Sequence, residues 1–507
     1  MSFSRPLLLA FFMPVLACLP LRAEVSQLWG EAGEKWTPQS RLPDFSFAGY
    51  RRGEEPFRIP AGTISVTDFG AKGDGRTDDT AAFKAAIASG SGKVIRIPPG
   101  QFVLSDVLEI DSSNLVLRGA GSSRTVLVFT KNLETLRPRP VKNDGGEPTS
   151  DWSWGGGLIM IGNRSRKSQP AESEIGRVAE PANRGANQLT LVKPLFRPGD
   201  EVVLSLHDTP GKSLVQYLYR GQTGNISGLN GWQCSQVFRI RSTNGSRVQL
   251  DRGLRFDVRL EWRPRLEPFR PGVTDVGLEG VAFHFPTVPY PGHFKEKGWN
   301  PVAIRPAAAH CWLRDLYVLN GDSGPFVEGA TFCTLQGIRL AAEPGRKGRN
   351  GICGHHGITL EGNDCLCADF TIETQFVHDL TVQSAVGCVF SSGKAANLCM
   401  DHHCWASCEN LFTDIDAGEG RRLFASGGGA NRGLHTAAGA TFWNIRGRAQ
   451  SGWPASFGPD AMNMVGLPLR DPQALDLNGR WIEALAPCSV QPADLHAAML
   501  ARRLAGK

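Results

Sequence analysis

The sequence predicts an all-β chain wound as a single-stranded parallel β-helix, with a helix closing its N-terminal end and long loops thrown out of the coil. Three observations carry that expectation. First, short apolar segments recur from about residue 273 onward: LEGVAF, LRDLYV, LQGIRL, HHGITL, VHDLTV, FTDIDA and FWNIRG. In each, an apolar residue follows Gly, Asp or Asn, namely Val281, Leu316, Ile338, Ile358, Leu380, Ile415 and Ile445. The shortest intervals are 22, 20 and 22 residues, the period of a solenoid. A leucine-rich repeat of that period needs spaced leucines and an Asn that this chain lacks. Second, 59 glycines in 507 residues, without a collagen period, favour many turns between short strands. Third, cysteines recur at the same period: Cys311, Cys333 and Cys353, then Cys367, Cys388 and Cys408. A small buried hydrophobe repeating once per coil can stack on itself in the core. Disulfides remain open, with Cys365, Cys367, Cys399 and Cys404 as candidates.

Residues 1–23 have the form of a signal peptide: Arg5, then an apolar core over Leu7–Ala17 broken by Pro14, then Leu21-Arg22-Ala23. Val15-Leu16-Ala17-Cys18 also resembles a lipoprotein box, which would anchor the chain through Cys18. No other segment has the roughly 18 uninterrupted apolar residues of a transmembrane span. The chain is therefore expected to be secreted or periplasmic. Residues 24–63 read as an extended arm. Residues 64–68 form a strand and 70–75 a glycine-rich turn. A helix capped by Thr77 or Asp78 then runs through Ala88, burying Ala82, Phe83, Ala86 and Ile87. Strands follow at 93–97, 103–110 and 115–119. Residues 130–190 are polar and read as an insertion, strands resume at 201–206 and 246–250, and the coil continues to 465. Residues 466–507 form a partly helical tail.

The run VTDFGAKGDGRTDDTAAFKAAI…GKVIRIPPGQF closely resembles the opening of the pectate-lyase-like β-helix proteins, among them rhamnogalacturonase, epimerase-like and phage tailspike members. The resemblance covers roughly residues 64–450 and implies a right-handed parallel coil, expected here over 64–465. It implies no single chemistry, because that superfamily holds hydrolases, lyases, epimerases and binding proteins.

The formal charge of +6 is spread along the chain with no Lys/Arg block, which points away from nucleic acid and suits an anionic polysaccharide or oligosaccharide. Five of the 11 histidines fall in three fragments, His355-His356, His378-Asp379 and Asp401-His402-His403. His356 and His378 are 22 residues apart and each lies two positions before an apolar anchor, so they point the same way. His402 or His403 would continue the line, and Asp379 and Asp401 are also 22 apart. Residues one coil apart stack about 4.8 Å apart.

This patch suits β-elimination on a uronate glycan by a polysaccharide lyase, with imidazole as base. The candidate catalytic residues are His378 first, then Asp379, His402, His356, Asp401, His403 and Glu373. Arg305, Arg339 and Lys394, with Arg314, would offset the substrate carboxylate, and Tyr290 and Trp299 would stack on sugar faces. Glycoside hydrolysis is the alternative, using paired carboxylates among Asp379, Asp401, Glu373 and Asp369. A non-catalytic carbohydrate-binding coil is the other. A metal could sit on His378, His402 or His403 with Asp401, but no tight H-x-H or H-E-x-x-H pattern assigns ligands. Ca2+ or another divalent cation is compatible and not required. The chain is expected to act as a monomer or homo-oligomer.

Overall fold

The computed structural model describes residues 23–162, 170–470 and 473–506. Residues 1–22 of the expected leader, Cys18 among them, lie outside the described residues. Two ladders of short parallel strands run along the chain. The first passes through Gly62–Ser65, Lys93–Ile97, Leu115–Gly119, Val276–His284, Trp312–Leu319, Thr334–Ala341, Leu366–Ala368, Val389–Ser391, Leu411–Asp416, Thr441–Arg446, Asn463–Val465 and Trp481–Glu483, each parallel to the next. The second passes through Leu108–Ile110, Ile159–Ile161, Val302–Ile304, Phe326–Thr331, Ile352–Asn363, Gln375–Val382 and Met400–His402. From residue 302 to 416 the chain visits the two in alternation. The protein is thus predominantly β, with the parallel architecture of a β-helix.

Register explains why the repeat is apolar. Each coil sets one residue above its counterpart, so one inward position becomes a column. Ile95, Leu117, Leu278, Leu313, Leu335, Cys367, Phe390, Phe412, Phe442, Met464 and Ile482 are successive register partners, and all are buried. Stacking removes each from water on both sides, at about 25 cal/mol per Å² of apolar surface. The expected anchors divide between the two ladders. Val281, Leu316 and Ile338 stack in the first, as do Ile415 and Ile445, whereas Ile358 and Leu380 stack in the second. A shared turn motif had made them look like one column.

Ten cysteines, including all four disulfide candidates, are free and buried. The thiols of Cys311, Cys333, Cys365 and Cys388 interact in sequence down the core. Cys353 is not in that column, because the excursion at 344–351 lengthens its coil.

The helix spans Thr80–Ala88 and buries Phe83, Ala86 and Ile87, with Phe83 edge-on to Phe102 at 5.5 Å. Its start departs from expectation. Asp78 accepts the Thr80 N–H at 3.0 Å, while Thr77 is held by Asp74. The coil is interrupted at a different place from the expected 130–190 segment. Ile159–Ile161 lies within the second ladder, and the segments from Gly176–Arg177 to Arg265–Pro268 form a separate six-stranded antiparallel sheet with its own core. Alternating burial along Glu201–His207 marks a half-buried strand but does not say that it leaves the coil. Leu28, Trp29, Leu42, Phe45 and Ala48 of the N-terminal arm pack on outward residues of the first ladder, together with Leu495 and Met499 of the helix Leu495–Ala505. No helix among the described residues is long and apolar enough to cross a membrane.

Candidate active site

The second ladder brings a group of histidines together. His356 and His378 are register partners, and their rings stack with centroids 5.0 Å apart. His403 sets its ring edge-on to His378 at 4.9 Å. His355 lies 4.1 Å from His356 and 5.6 Å from His378 between ring centroids. The loop between Val276–His284 and Val302–Ile304 adds His293, whose Nε2 is 3.0 Å from His355 Nε2. Asp322 fixes that loop. Its Oδ2 accepts the N–H groups of Lys297, Gly298 and Trp299, each at 3.0 Å, and its carbonyl accepts the His355 N–H at 2.7 Å. Arg346, buried, clamps Asp322 Oδ1 at 2.5 Å.

Asp401 is the carboxylate that His378 and His403 share. Along Met400–His402 the side chains alternate, so Met400 and His402 enter the core and Asp401 faces out. Its Oδ2 is 2.8 Å from His403 Nδ1, 3.3 Å from His378 Nδ1, and accepts the Thr381 hydroxyl at 3.2 Å. Its Oδ1 accepts the Gly427 N–H at 2.9 Å. Thr381 in turn is 3.2 Å from His356 Nδ1. Burial alone would raise the Asp401 carboxyl, but the facing His378 and His403 outweigh it and hold the group below the usual carboxylate range. Burial pushes His378 down to about 4 and keeps His355 and His356 well below the ordinary imidazole range. Behind His355 lies Glu296, buried and bonded to the Tyr290 hydroxyl, with Oε1 3.7 Å from His355 Nδ1. Burial raises its carboxyl to about 7.

Gly427 closes over the pair. A Cβ there would come within 2.6 Å of His378 Cε1 and 2.7 Å of His403 Cε1. Gly427→Ala is therefore expected to displace both rings and lower turnover by about 10²-fold while the fold persists, checked by steady-state kinetics beside circular dichroism.

Several expected site residues lie elsewhere. Asp401 pairs in register with Thr381 rather than with Asp379. Asp379 is buried and fully engaged, accepting from the backbones of Phe376 and Cys399 and from Arg422 at 2.7 Å. His402 points into the core against Phe412, Phe442 and Phe457. Glu373 forms a two-pronged pair with Arg339 on an exposed face, and Asp369 accepts from Gln336. Arg305 is buried beside Glu328, Arg314 pairs with Glu279, and Lys394 is exposed on a strand of the first ladder's sheet. Tyr290 is buried under Arg346, and Trp299 packs on Phe285. Glu296, Thr381 and Gly427 belong to the cluster without having been singled out for it, and His293 and His355, though near the expected patch, were not among its catalytic candidates. The sequence marks His355 only by adjacency to His356, and His293 sits in a loop with no period.

Two groups of donors among the described residues fall within 4.8 Å of one another: His293, His355 and His378, and His378, Asp401 and His403. Calcium takes about 6–8 oxygen ligands. The donors here are imidazole nitrogens and one carboxylate already engaged at both oxygens, so the cluster does not suit it.

Residues 63–151 match the family described as rhamnogalacturonase A/epimerase, pectate lyase-like. Alginate lyase 7 of Azotobacter vinelandii is 35% identical over 97 residues, 17% of this chain and 11% of that protein. The mannuronan C5-epimerase AlgE3 of the same organism is 36% identical over 180 residues, 33% of this chain and 9% of that protein. The chain spans a fifth or less of the length of such curated relatives, between 7% and 20%. Among solved structures, the tailspike protein gp49 of Pseudomonas phage LKA1 aligns with a TM-score of 0.44 at 12% identity, covering 77% of this chain and 64% of that one. Over residues 63–151 the chain is thus similar to the rhamnogalacturonase A/epimerase, pectate lyase-like family, and the strands that follow continue in parallel ladders.

Proposed function

We propose that the protein is an exported carbohydrate-active enzyme that removes the C5 proton of a uronate unit in an anionic polysaccharide, with β-elimination following. The observation that carries this reading is the single carboxylate Asp401 shared by His403 and His378 at 2.8 and 3.3 Å. A carboxylate on Nδ1 fixes the tautomer and leaves Nε2 as the basic nitrogen. His403 is then the base. Its Nε2 takes the C5 proton, the C–H electron pair forms the C4–C5 double bond, and the C4–O4 bond breaks. The departing oxygen takes a proton from the His403 imidazolium or from water. Hydrolysis needs two carboxylates flanking the bond. Of the four expected for it, only Asp401 faces the histidines. The names of two relatives, an alginate lyase and a mannuronan C5-epimerase, fit chemistry that starts at C5 of a uronate, and the charge of +6 fits an anionic chain.

The same reading takes residues 1–23 as the exporting leader and the coil over 64–465 as right-handed, closed at its N-terminal end by Thr80–Ala88. The test is a panel of polyuronates, read by the ultraviolet absorbance of the new double bond in parallel with reducing ends. His403→Ala is expected to lower the absorbance rate by about 10²–10⁴-fold. Reducing ends without absorbance would make the protein a hydrolase.

A further inference from the structure

Elimination at a uronate needs a cation against the substrate carboxylate. Arg305 is tied to Glu328 and Arg339 to Glu373, and Lys394 lies on the other ladder's sheet. The cluster itself offers a different solution. We propose that His293, His355 and His378 form a three-histidine site for a transition-metal cation of the zinc class, with an open coordination position beside His403. The inference deepens the proposed function and rests on it for the role of the ion, though not for its binding.

Three features support the site. The first is spacing. The donor atoms of the three imidazoles lie within 4.8 Å of one another, and His293 Nε2 and His355 Nε2 are 3.0 Å apart. An ion with nitrogens at about 2.0–2.1 Å holds neighbouring donors roughly 3–3.4 Å apart. The second is what lies behind the rings. Metal-bound histidines place their other ring nitrogen on a carboxylate or carbonyl, which fixes the tautomer. His378 Nδ1 faces Asp401 at 3.3 Å and His355 Nδ1 faces Glu296 at 3.7 Å, which leaves Nε2 of each ring as the ligating nitrogen, and His355 Nε2 is the atom 3.0 Å from His293. The third is unfinished pairing. His355 Nδ1 and His378 Nδ1 are buried without a hydrogen bond of good geometry, and a buried polar group left so is destabilising. A metal on Nε2 draws both rings into a defined tautomer that points an N–H at each carboxylate.

The donor set chooses the ion. Neutral imidazoles suit zinc, copper, nickel or iron rather than calcium or magnesium. Three protein ligands with one open position is the pattern of a catalytic rather than a structural site. A uronate carboxylate entering that position would have its charge offset next to the base. His293 is the exposed member, on the loop held by Asp322, so it guards the entry side.

The experiment uses the full mature chain, freed of metal by chelator dialysis and titrated with Zn2+ alone, then with Co2+ for its visible spectrum. The expected result is one ion per chain by mass spectrometry and a Co2+ spectrum of a low-coordinate nitrogen site. His293→Ala and His355→Ala are expected to weaken binding by at least about 10–100-fold, and His403→Ala to retain it. His355 is buried, so its variant reads folding as well as binding, and the exposed His293→Ala carries the decision, with circular dichroism confirming its fold. No binding, or binding unchanged in His293→Ala, would overturn the proposal. Loss in His403→Ala and Asp401→Asn instead would also overturn it by placing the ion on the other triad. Metal bound with no double bond formed on any polyuronate would leave the site standing and remove the proposed reaction.

Discussion

Asp401→Asn is expected to lower turnover by about 10²–10⁴-fold with little change in stability. The substitution keeps the volume, and the amide oxygen can still accept the Gly427 N–H that bonds Asp401 Oδ1 at 2.9 Å. What changes is the other end. Oδ2 now receives the Thr381 hydroxyl and faces His403 Nδ1 and His378 Nδ1 at 2.8 and 3.3 Å. An amide NH₂ at that place donates, so His403 Nδ1 must accept, and the ring carries its proton on the nitrogen that should be the base. The measurement is kcat and KM on the best polyuronate, beside a thermal melt. A loss confined to kcat, with an unchanged melt, is the expected pattern. Equal activity in the variant would remove Asp401 from the mechanism.

Asp364→Ala is expected to destabilise the protein by about 3–5 kcal/mol. Asp364 is a buried link between the antiparallel unit and the coil. Its two oxygens take Arg252 Nη2 at 2.7 Å and Arg255 Nη2 at 2.6 Å, and Arg255 Nη1 reaches Glu409 at 2.9 Å. Every one of these side chains is almost fully buried. Gly387, at φ +68°, makes room for the pair, since a Cβ there would come within 2.3 Å of the Arg255 guanidinium. Removing Asp364 leaves two guanidiniums in the dry interface with one carboxylate between them. Burial alone would raise the Asp364 carboxyl, but Arg252 and Arg255 outweigh it and hold it below its ordinary range. Its contribution is therefore present above the unfolded carboxylate range and is lost as pH falls through the lower folded value. Limited proteolysis reads the prediction, with cleavage in 176–268 preceding cleavage in the coil. A variant as resistant as the parent would contradict it.

The coil was legible because its cause is periodic. A recurring apolar residue at a spacing near 22 can be read off a sequence, and the register of Leu313, Leu335 and Cys367 is that spacing made physical. The site was legible where it shares the period, as with His356 and His378. It failed where one residue of phase decides the face. His402 and His403 are neighbours, yet strand alternation sends the first into the core against Phe442 and leaves the second with Asp401. Asp379 has the right spacing and the wrong partner, because Arg422 comes from a turn 43 residues away. His293 and Glu296 come from a loop, and loops have no period. Their place depends on Asp322 gathering three backbone N–H groups, which only the folded chain shows. The antiparallel unit was missed for the related reason that its strands look alike whether they join the coil or leave it.

The most direct test of C5-proton abstraction at the histidine cluster is to incubate the protein with a polyuronate in D₂O and follow the polymer by NMR, beside His403→Ala. The account predicts vinylic signals from new unsaturated ends, absent or strongly slowed in the variant. Deuterium entering C5 without chain cleavage would keep the proton abstraction and replace elimination with epimerisation. New reducing ends with neither vinylic signals nor C5 deuterium would contradict the account, and so would vinylic ends produced equally fast by His403→Ala.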